Sequence, residues 1–156
     1  MLIDLEYLAD WRASIPPDST LVVTNGCFDI LHLGHIDYLQ KAKKLGHHLL
    51  VGINGDDSVR QLKGDSRPIN SEVNRAKLVD ALKSVDAVCI FKEKLASNFL
   101  RIADPDVYAK GGDYTPETLN KEEKAVIDTC RSKIVIIPFL RGFSTTETLS
   151  KIITST

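Results

Sequence analysis

His32 and His35 stand three residues apart in the stretch TNGCFDILHLGH, residues 24–35, which follows an apolar run and leads into a helical pattern. The run ends near Asn25, Gly26 lets another backbone or a ligand come close, and the helix is expected to begin around Gly34. Both imidazoles then lie at a helix N-terminus, where free N–H groups and the helix dipole favour anions, phosphates above all. Imidazoles beside a phosphate can donate hydrogen bonds to its oxygens and stabilise the charge that develops in phosphoryl transfer. Gly34 would let a nucleotide approach the helix with no side chain in the way. Capping or solvent-facing histidines are the plainer alternative. A pair at this spacing on a strand–helix junction favours chemistry.

Three further stretches carry groups that a phosphate or sugar would use. NGDDSVRQLKGDSRPINSEVNR, residues 54–75, reads as a charged loop running into a helix, yet it gathers Arg60, Lys63, Arg67 and Arg75. Bringing polyanions together needs such a local cluster of cations. AKGGDYTPE, residues 109–117, places Gly111 and Gly112 after a strand, where backbone could pass close to a ribose or base. Asp113 could accept from a ribose hydroxyl or from Lys110. RGFSTTETL, residues 141–149, puts Ser144, Thr145 and Thr146 at a helix start. They could cap that helix, or present hydroxyls and N–H groups to a β- or γ-phosphate.

The elements that must position these groups alternate along the chain. LVVTN (21–25), HLLVGI (48–53), AVCIF (87–91), DVYAK (106–110) and IVIIP (134–138) are short, β-branched and bounded by polar, Gly or Pro residues. They read as strands buried on both faces of a parallel sheet. Helical patterns lie between. One has Ile36, Leu39, Ala42 and Leu45 on a stripe and Gly46 as its C′ residue. Another opens on Ser71 as a cap and carries Val73, Leu78, Val79 and Leu82 on one side. LASNFLRIAD, NKEEKAVIDTC and STTETLSKIITST are further candidates, and LEYLADWRAS reads as a helix that stops before Pro16–Pro17. The expected fold is α/β, a doubly wound parallel sheet of about five strands with flanking helices in a single domain, residues 1–156, with the N-terminal helix 1–15 as an extension. Ligands in such sheets bind at the carboxyl ends of the strands, where all four stretches are expected to meet.

Composition narrows the classes. A formal net charge of −1 lacks the basic excess of a nucleic-acid or membrane-surface binder. No apolar run nears the roughly 20 residues of a membrane span. The start lacks the basic leader and cleavage site of a signal peptide, so a cytoplasmic location is expected. Cys27, Cys89 and Cys130, an odd number with no C-x-x-C spacing, suggest reduced thiols and no zinc site. Cys27 reads as a packing residue, His47 and His48 as a helix end and a strand start, and Trp11 and Tyr7 as packing. Asp86 reads as a structural acid or a dimer contact.

The dodecamer resembles the signature of the HxGH nucleotidyltransferases, the superfamily of cytidylyltransferases, pantetheine-phosphate adenylyltransferases and, more distantly, class I tRNA synthetases. The likeness extends from about residue 21 to 152 and implies a Rossmann-like sheet. It implies that His32 and His35 bind the triphosphate and stabilise the transition state while pyrophosphate leaves, with Mg²⁺ accompanying ATP and no metal site of the protein's own. It also implies that Lys63 acts with them. Asn25, Gly26, Cys27, Phe28, Asp29, Gly34, Arg75, Lys110, Gly111, Gly112, Asp113, Ser144, Thr145 and Thr146 would contact the nucleotide. Arg60, Arg67 and Arg141 would contact the second substrate.

Within the superfamily, VRQLKG, RPIN and above all KGGDY look like the ADP-heptose-forming branch; glycerol-phosphate cytidylyltransferases show G-D-D-W at the last of these. Two departures stand out. Phe143 replaces a small or aliphatic residue, and Phe139 lies where cytidylyltransferases carry an arginine five residues before the serine, leaving Arg141 three before it. The resemblance implies transfer of AMP from ATP to D-glycero-D-manno-heptose 1-phosphate, a homodimer, and a separate sugar kinase upstream. Glycerol-3-phosphate cytidylyltransferase, FMN adenylyltransferase and a non-catalytic nucleotide-binding module remain alternatives.

Overall fold

The structure, a computed structural model, describes residues 1–112, 114–115, 118–140, 142–143, 145 and 148–150. In chain order it runs β1 (Leu2–Ile3), a 3₁₀ turn (Leu5–Tyr7), α1 (Leu8–Ser14), β2 (Leu21–Gly26), α2 (Leu33–Lys43), β3 (His48–Asn54), α3 (Asp56–Lys63) and α4 (Glu72–Asp80). There follow β4 (Ala87–Phe91), α5 (Ser97–Ala103), β5 (Val107–Gly111), α6 (Lys121–Thr129) and β6 (Lys133–Ile137). Thr145 and residues 148–150 are helical as well.

All six strands form one parallel sheet in the order β1-β4-β3-β2-β5-β6. The five expected strands are present. The sixth is β1, where Leu2 pairs with Val88 and Ile3 with Cys89; two residues are too few to leave a periodic signal. The chain winds outward through β3 and β4 on one side of β2 and through β5 and β6 on the other, so the topological switch lies between β2 and β5.

Alternation along each strand divides the core into two layers. Leu21, Val23, Leu50, Cys89 and Tyr108 pack on one face with Phe99 and Leu100 of α5, Val126 and Ile127 of α6, and Leu8 of α1. Val22, Leu49, Val51, Ile53 and Val88 pack on the other with Leu39 and Ala42 of α2 and Ala76 and Val79 of α4. Each fully buried aliphatic side chain stabilises the fold by about 1.5–3 kcal/mol relative to exposure.

Three helix expectations need correction. Val73 and Leu78 are exposed, and α4 instead buries Arg75, Ala76 and Val79; its inner face is set by a charged residue that hydropathy assigns to solvent. Ser71 does cap α4, accepting from the Asn74 N–H at 3.4 Å. Gly46 is not a left-handed C′ residue. A Cβ there would lie 2.7 Å from Val22 Cγ2 and 2.8 Å from the Thr20 carbonyl, so the glycine serves close approach to β2. Residues 56–63, expected as loop, form α3.

Two carboxylates fix the strand starts at the end of the sheet remote from the switch-point loops. Asp86, just before β4, accepts from the Leu49 N–H at 2.6 Å and from Lys43 Nζ at 2.5 Å. Asp106, just before β5, accepts from the Leu21 N–H at 2.7 Å. Asp86 is therefore a structural acid. Asp86→Ala leaves a partly buried N–H unpaired and is expected to cost about 1–3 kcal/mol in urea unfolding, with catalytic constants unchanged.

Candidate active site

At the carboxyl ends of β2, β3 and β5 the loops enclose a cavity of about 520 Å³. Asn25, Gly26, Cys27, Phe28 and Asp29 line it from the β2–α2 loop, His35 and Tyr38 from α2, and Asn54 from the end of β3. Lys63 reaches it from the last turn of α3, Lys94 from the loop after β4, and Lys110 and Gly111 from β5. Tyr114, Glu123, Phe139 and Thr145 also contribute. Each of the four stretches brings at least one described residue to this cavity.

The histidine corner is built by tight backbone geometry. A Cβ on Gly26 would lie 2.9 Å from the Phe28 ring. Phe28 itself is left-handed, with φ of 46°, and its ring lies against His35 with centroids 5.2 Å apart. His32 caps α2 through its carbonyl, which accepts from the His35 N–H at 2.9 Å. The two imidazoles stack, centroids 3.8 Å apart and 20° from parallel, with His35 lining the cavity. Gly34 does not leave an open face. A Cβ there would lie 3.0 Å from His32 Nδ1 and 3.1 Å from Phe143 Cβ, so the glycine makes room for those two side chains.

Burial lowers the pKa of His32. Burial, then the neighbouring His32 and Lys63, push His35 down to about 4. The Nδ1 atoms of both rings are buried and have no hydrogen-bond partner among the described residues. In the free protein the pair is therefore neutral near pH 7. Two uncharged rings can stack at this distance, and each keeps one N–H to donate. An arriving polyanion would raise both pKa values and offset the penalty that burial imposes on the charged forms.

The cations of residues 54–75 separate into two kinds. Lys63 lines the cavity. Arg60 is on the surface, paired with Asp57 one turn back on α3. Arg67 is drawn inward: its Nε donates to Asp29 Oδ2 at 2.6 Å. Asp29 also accepts from the Ile69 and Asn70 N–H groups at 2.9 Å each, and Asn70 Nδ2 donates to the Asp29 carbonyl at 2.6 Å. Burial alone would raise the Asp29 pKa, but these donors and Arg67 hold it below the usual carboxylate value. Asp29 thus pins the 67–70 loop beside the cavity.

Arg75 is fully buried and lies behind the cavity wall. Its Nη1 donates to the Cys27 carbonyl at 2.5 Å, its Nη2 to the Asn54 carbonyl at 2.7 Å and Asp56 Oδ1 at 2.8 Å, and its Nε to the Asn70 carbonyl at 3.0 Å. One guanidinium thereby joins three loops. Cys27 is half-buried at the same wall, its thiol pushed up by burial.

On the other side of the switch, Tyr108 Oη donates to Asn25 Oδ1 at 2.7 Å, and Lys110 Nζ lies 3.1 Å from Tyr108 Oη and 3.8 Å from Glu123 Oε2. Burial lowers the Lys110 pKa, against the pull of Glu123. Gly112 is left-handed, with φ of 87°. Thr145 Oγ1 donates to the Ile30 carbonyl at 3.5 Å, tying that residue to the histidine loop. Asp113, Arg141, Ser144 and Thr146 lie outside the described residues.

The motif reading did not single out Tyr38, Asn54, Lys94, Glu123 or Tyr114. Tyr38 was within reach of it, one turn after His35 on the same helix face. Lys94 and Glu123 come from segments without any motif. Among the described residues no three His, Cys, Asp or Glu side chains group as metal ligands.

Two measurements test this geometry. Arg75→Ala leaves Asp56 and three carbonyls without their donor, and it is expected to cost about 3 kcal/mol or more in equilibrium unfolding. Arg75→Lys, unable to span the three loops, should recover only part. For His35 the unfolded imidazole titrates near 6.5 and the folded one near 4. The unfolded chain therefore takes the proton first as pH falls, and stability present above 6.5 is lost progressively down to about 4. Urea midpoints of wild type should fall across that window, and His35→Gln should flatten the fall.

Comparison with known proteins agrees with this geometry. The family model described as Cytidylyltransferase-like matches residues 23–156. The chain is 44% identical over 147 residues to the Bifunctional protein HldE of Koribacter versatilis, covering 94% of this chain and 29% of that protein. It is 47% identical over 133 residues to the protein of the same name from Campylobacter fetus, covering 85% and 28%. The chain thus spans less than a third of the length of these curated relatives. Among solved structures, the lipopolysaccharide core biosynthesis protein from Thermoplasma volcanium superposes with a TM-score of 0.63 at 31% identity, covering 78% of this chain and 97% of that one. Pantoate-beta-alanine ligase from Francisella tularensis, 16% identical with a TM-score of 0.63, shares the fold, covering 99% of this chain and 78% of its own. Stacked histidines at a helix start, cations around the switch-point cavity and a family match over most of the sequence lead to one assignment: the chain belongs to the cytidylyltransferase-like family of nucleotidyltransferase enzymes.

Proposed function

We propose that the chain transfers AMP from MgATP to D-glycero-D-manno-heptose 1-phosphate, forming ADP-heptose and pyrophosphate. The observation that carries the reading is the stacked His32–His35 pair beside a cavity that also takes in Lys63, Lys94 and Lys110. The histidines supply donors for a triphosphate and the lysines supply charge for two phosphate-bearing substrates. KGGDY, together with relatives named HldE and a structural neighbour named for lipopolysaccharide core biosynthesis, supports adenine and a heptose over cytosine and glycerol.

An oxygen of the sugar 1-phosphate attacks the α-phosphorus in line, the bond to the α,β-bridging oxygen breaks, and pyrophosphate departs with that electron pair. A phosphate ester is already an anionic nucleophile near neutral pH, so no protein base is required. Catalysis rests on positioning and on stabilising charge as it spreads over the phosphoryl oxygens. Lys63, at the end of α3, is suited to the leaving phosphates. Lys110, held by Tyr108, Asn25 and Glu123, can present a fixed positive charge from the opposite wall. Mg²⁺ enters with the nucleotide as part of the substrate, and its role is to neutralise phosphate charge. Asp29, the carboxylate of the histidine loop, is occupied by Arg67, Ile69 and Asn70. A homodimer in the cytoplasm, supplied with sugar 1-phosphate by a separate kinase, belongs to the same reading. No helix among the described residues is long and apolar enough to cross a membrane.

Pyrophosphate release with ATP or CTP against heptose 1-phosphate, glycerol 3-phosphate and FMN tests the assignment. ATP with heptose 1-phosphate should be the productive pair. Release only with CTP and glycerol 3-phosphate, or only with FMN, would replace the proposed reaction, and no release with any pair would favour a binding module. His32→Ala and His35→Ala should each lower turnover by about 100-fold or more with the fold retained. A double variant of near-normal activity would overturn the mechanism.

A further inference from the structure

Gly111 and Gly112 were expected to let a nucleotide pass close to the backbone. In the structure, that room is taken by a side chain. The far edge of the Phe139 ring rests on both glycines: a Cβ on Gly111 would lie 2.6 Å from Phe139 Cε1, and one on Gly112 would collide with Cε2. Tyr38 flanks Gly111 as well, its Cε2 3.2 Å from the same Cβ position. The two aromatic residues are held differently. Tyr38 is buried and fixed through Thr24 Oγ1 at 2.7 Å and the Ala109 carbonyl at 3.0 Å. Phe139 follows the end of β6, lines the cavity and is 62% exposed.

A large apolar ring backed by glycine on one edge and open elsewhere, at the rim of a cavity lined by phosphate-binding groups, has an unmet demand for a flat partner. Planar π-systems meet it by offset stacking, and a nucleobase is the flat, partly apolar portion of a nucleotide. Resting on the nucleotidyltransferase reading above, we propose that Phe139 is the stacking platform for the nucleobase, and that its ring, seated on Gly111–Gly112, gives the site its preference for a purine. The larger purine covers more of the ring than a pyrimidine does, and the glycines keep the ring at the cavity rim.

Calorimetric titration of ATP, CTP and inorganic tripolyphosphate into wild type, Phe139→Ala and Phe139→Trp tests this. Phe139→Ala should weaken ATP about tenfold, within the range that loss of one base–aromatic stack produces. CTP should weaken less, and tripolyphosphate should bind as before. Phe139→Trp should keep ATP within about twofold of wild type. In turnover, Phe139→Ala should raise the KM for ATP while leaving kcat at saturating ATP and the KM for the acceptor unchanged, a split that a merely structural role would not give. Unchanged ATP affinity in Phe139→Ala would overturn the stacking role and leave the transferase reading standing. Equal loss of ATP and tripolyphosphate would also overturn it, since that points to a distorted site. Wild type that binds none of the three ligands would overturn the transferase reading and the stacking together.

Discussion

The site depends on a single buried cation. Placing a guanidinium out of water is costly unless every donor finds a partner and an opposite charge stands near. Arg75 meets both conditions by drawing in the Cys27, Asn54 and Asn70 carbonyls and the Asp56 carboxylate. Those partners belong to the loops after β2 and β3 and to the segment before α4. The requirement to satisfy one side chain therefore fixes the relative positions of the loops that carry the histidines and open onto α3, which delivers Lys63. Asp29 does the same with opposite sign, gathering Arg67 and two backbone N–H groups. Arg75 holds the wall from behind, and Asp29 lines the cavity with its carboxylate already occupied.

That division of labour explains the electrostatics inside the cavity. Structural charges are paired, while Lys63 and Lys94 line the cavity and Lys110 leans on a mainly neutral network. The histidines are partly buried, which lowers both pKa values and favours their neutral forms before an anion arrives. A site held in this state attracts anions through its lysines, and the histidines add positive character only as phosphate enters. Binding and protonation are thereby coupled, and the reorganisation on binding is small because the rings are already stacked at the helix start.

How much of this was readable beforehand follows from which physical signal each part leaves. Strands β2 to β6 left runs of β-branched residues. His32 and His35 left a spacing that a helix start makes meaningful, and Gly111–Gly112 marked a close approach. Hydropathy failed on α4, because Arg75 is a charged residue on the inward face and its partners are carbonyls from distant segments that no local pattern encodes. It failed on β1, whose two residues pair with β4, Leu2 with Val88 and Ile3 with Cys89, far along the chain. The glycines showed where crowding would occur and not what would crowd them: Phe139 and Phe143 occupy space the sequence reading reserved for nucleotide. Glu123 and Lys94 reach the cavity only through sheet order.

Phe28 carries a different implication. Its left-handed backbone is one that a bulky L-residue adopts at a cost of roughly 1–2 kcal/mol, which glycine would avoid. The chain accepts that cost at the turn where the ring must lie beneath His35. Glycine at 28 would relieve that strain but would empty a buried core position at a cost of about 3–5 kcal/mol, so the ring that touches the imidazole also holds its own turn. Stability and the placement of His35 therefore depend on the same side chain, and a substitution at 28 would cost both at once.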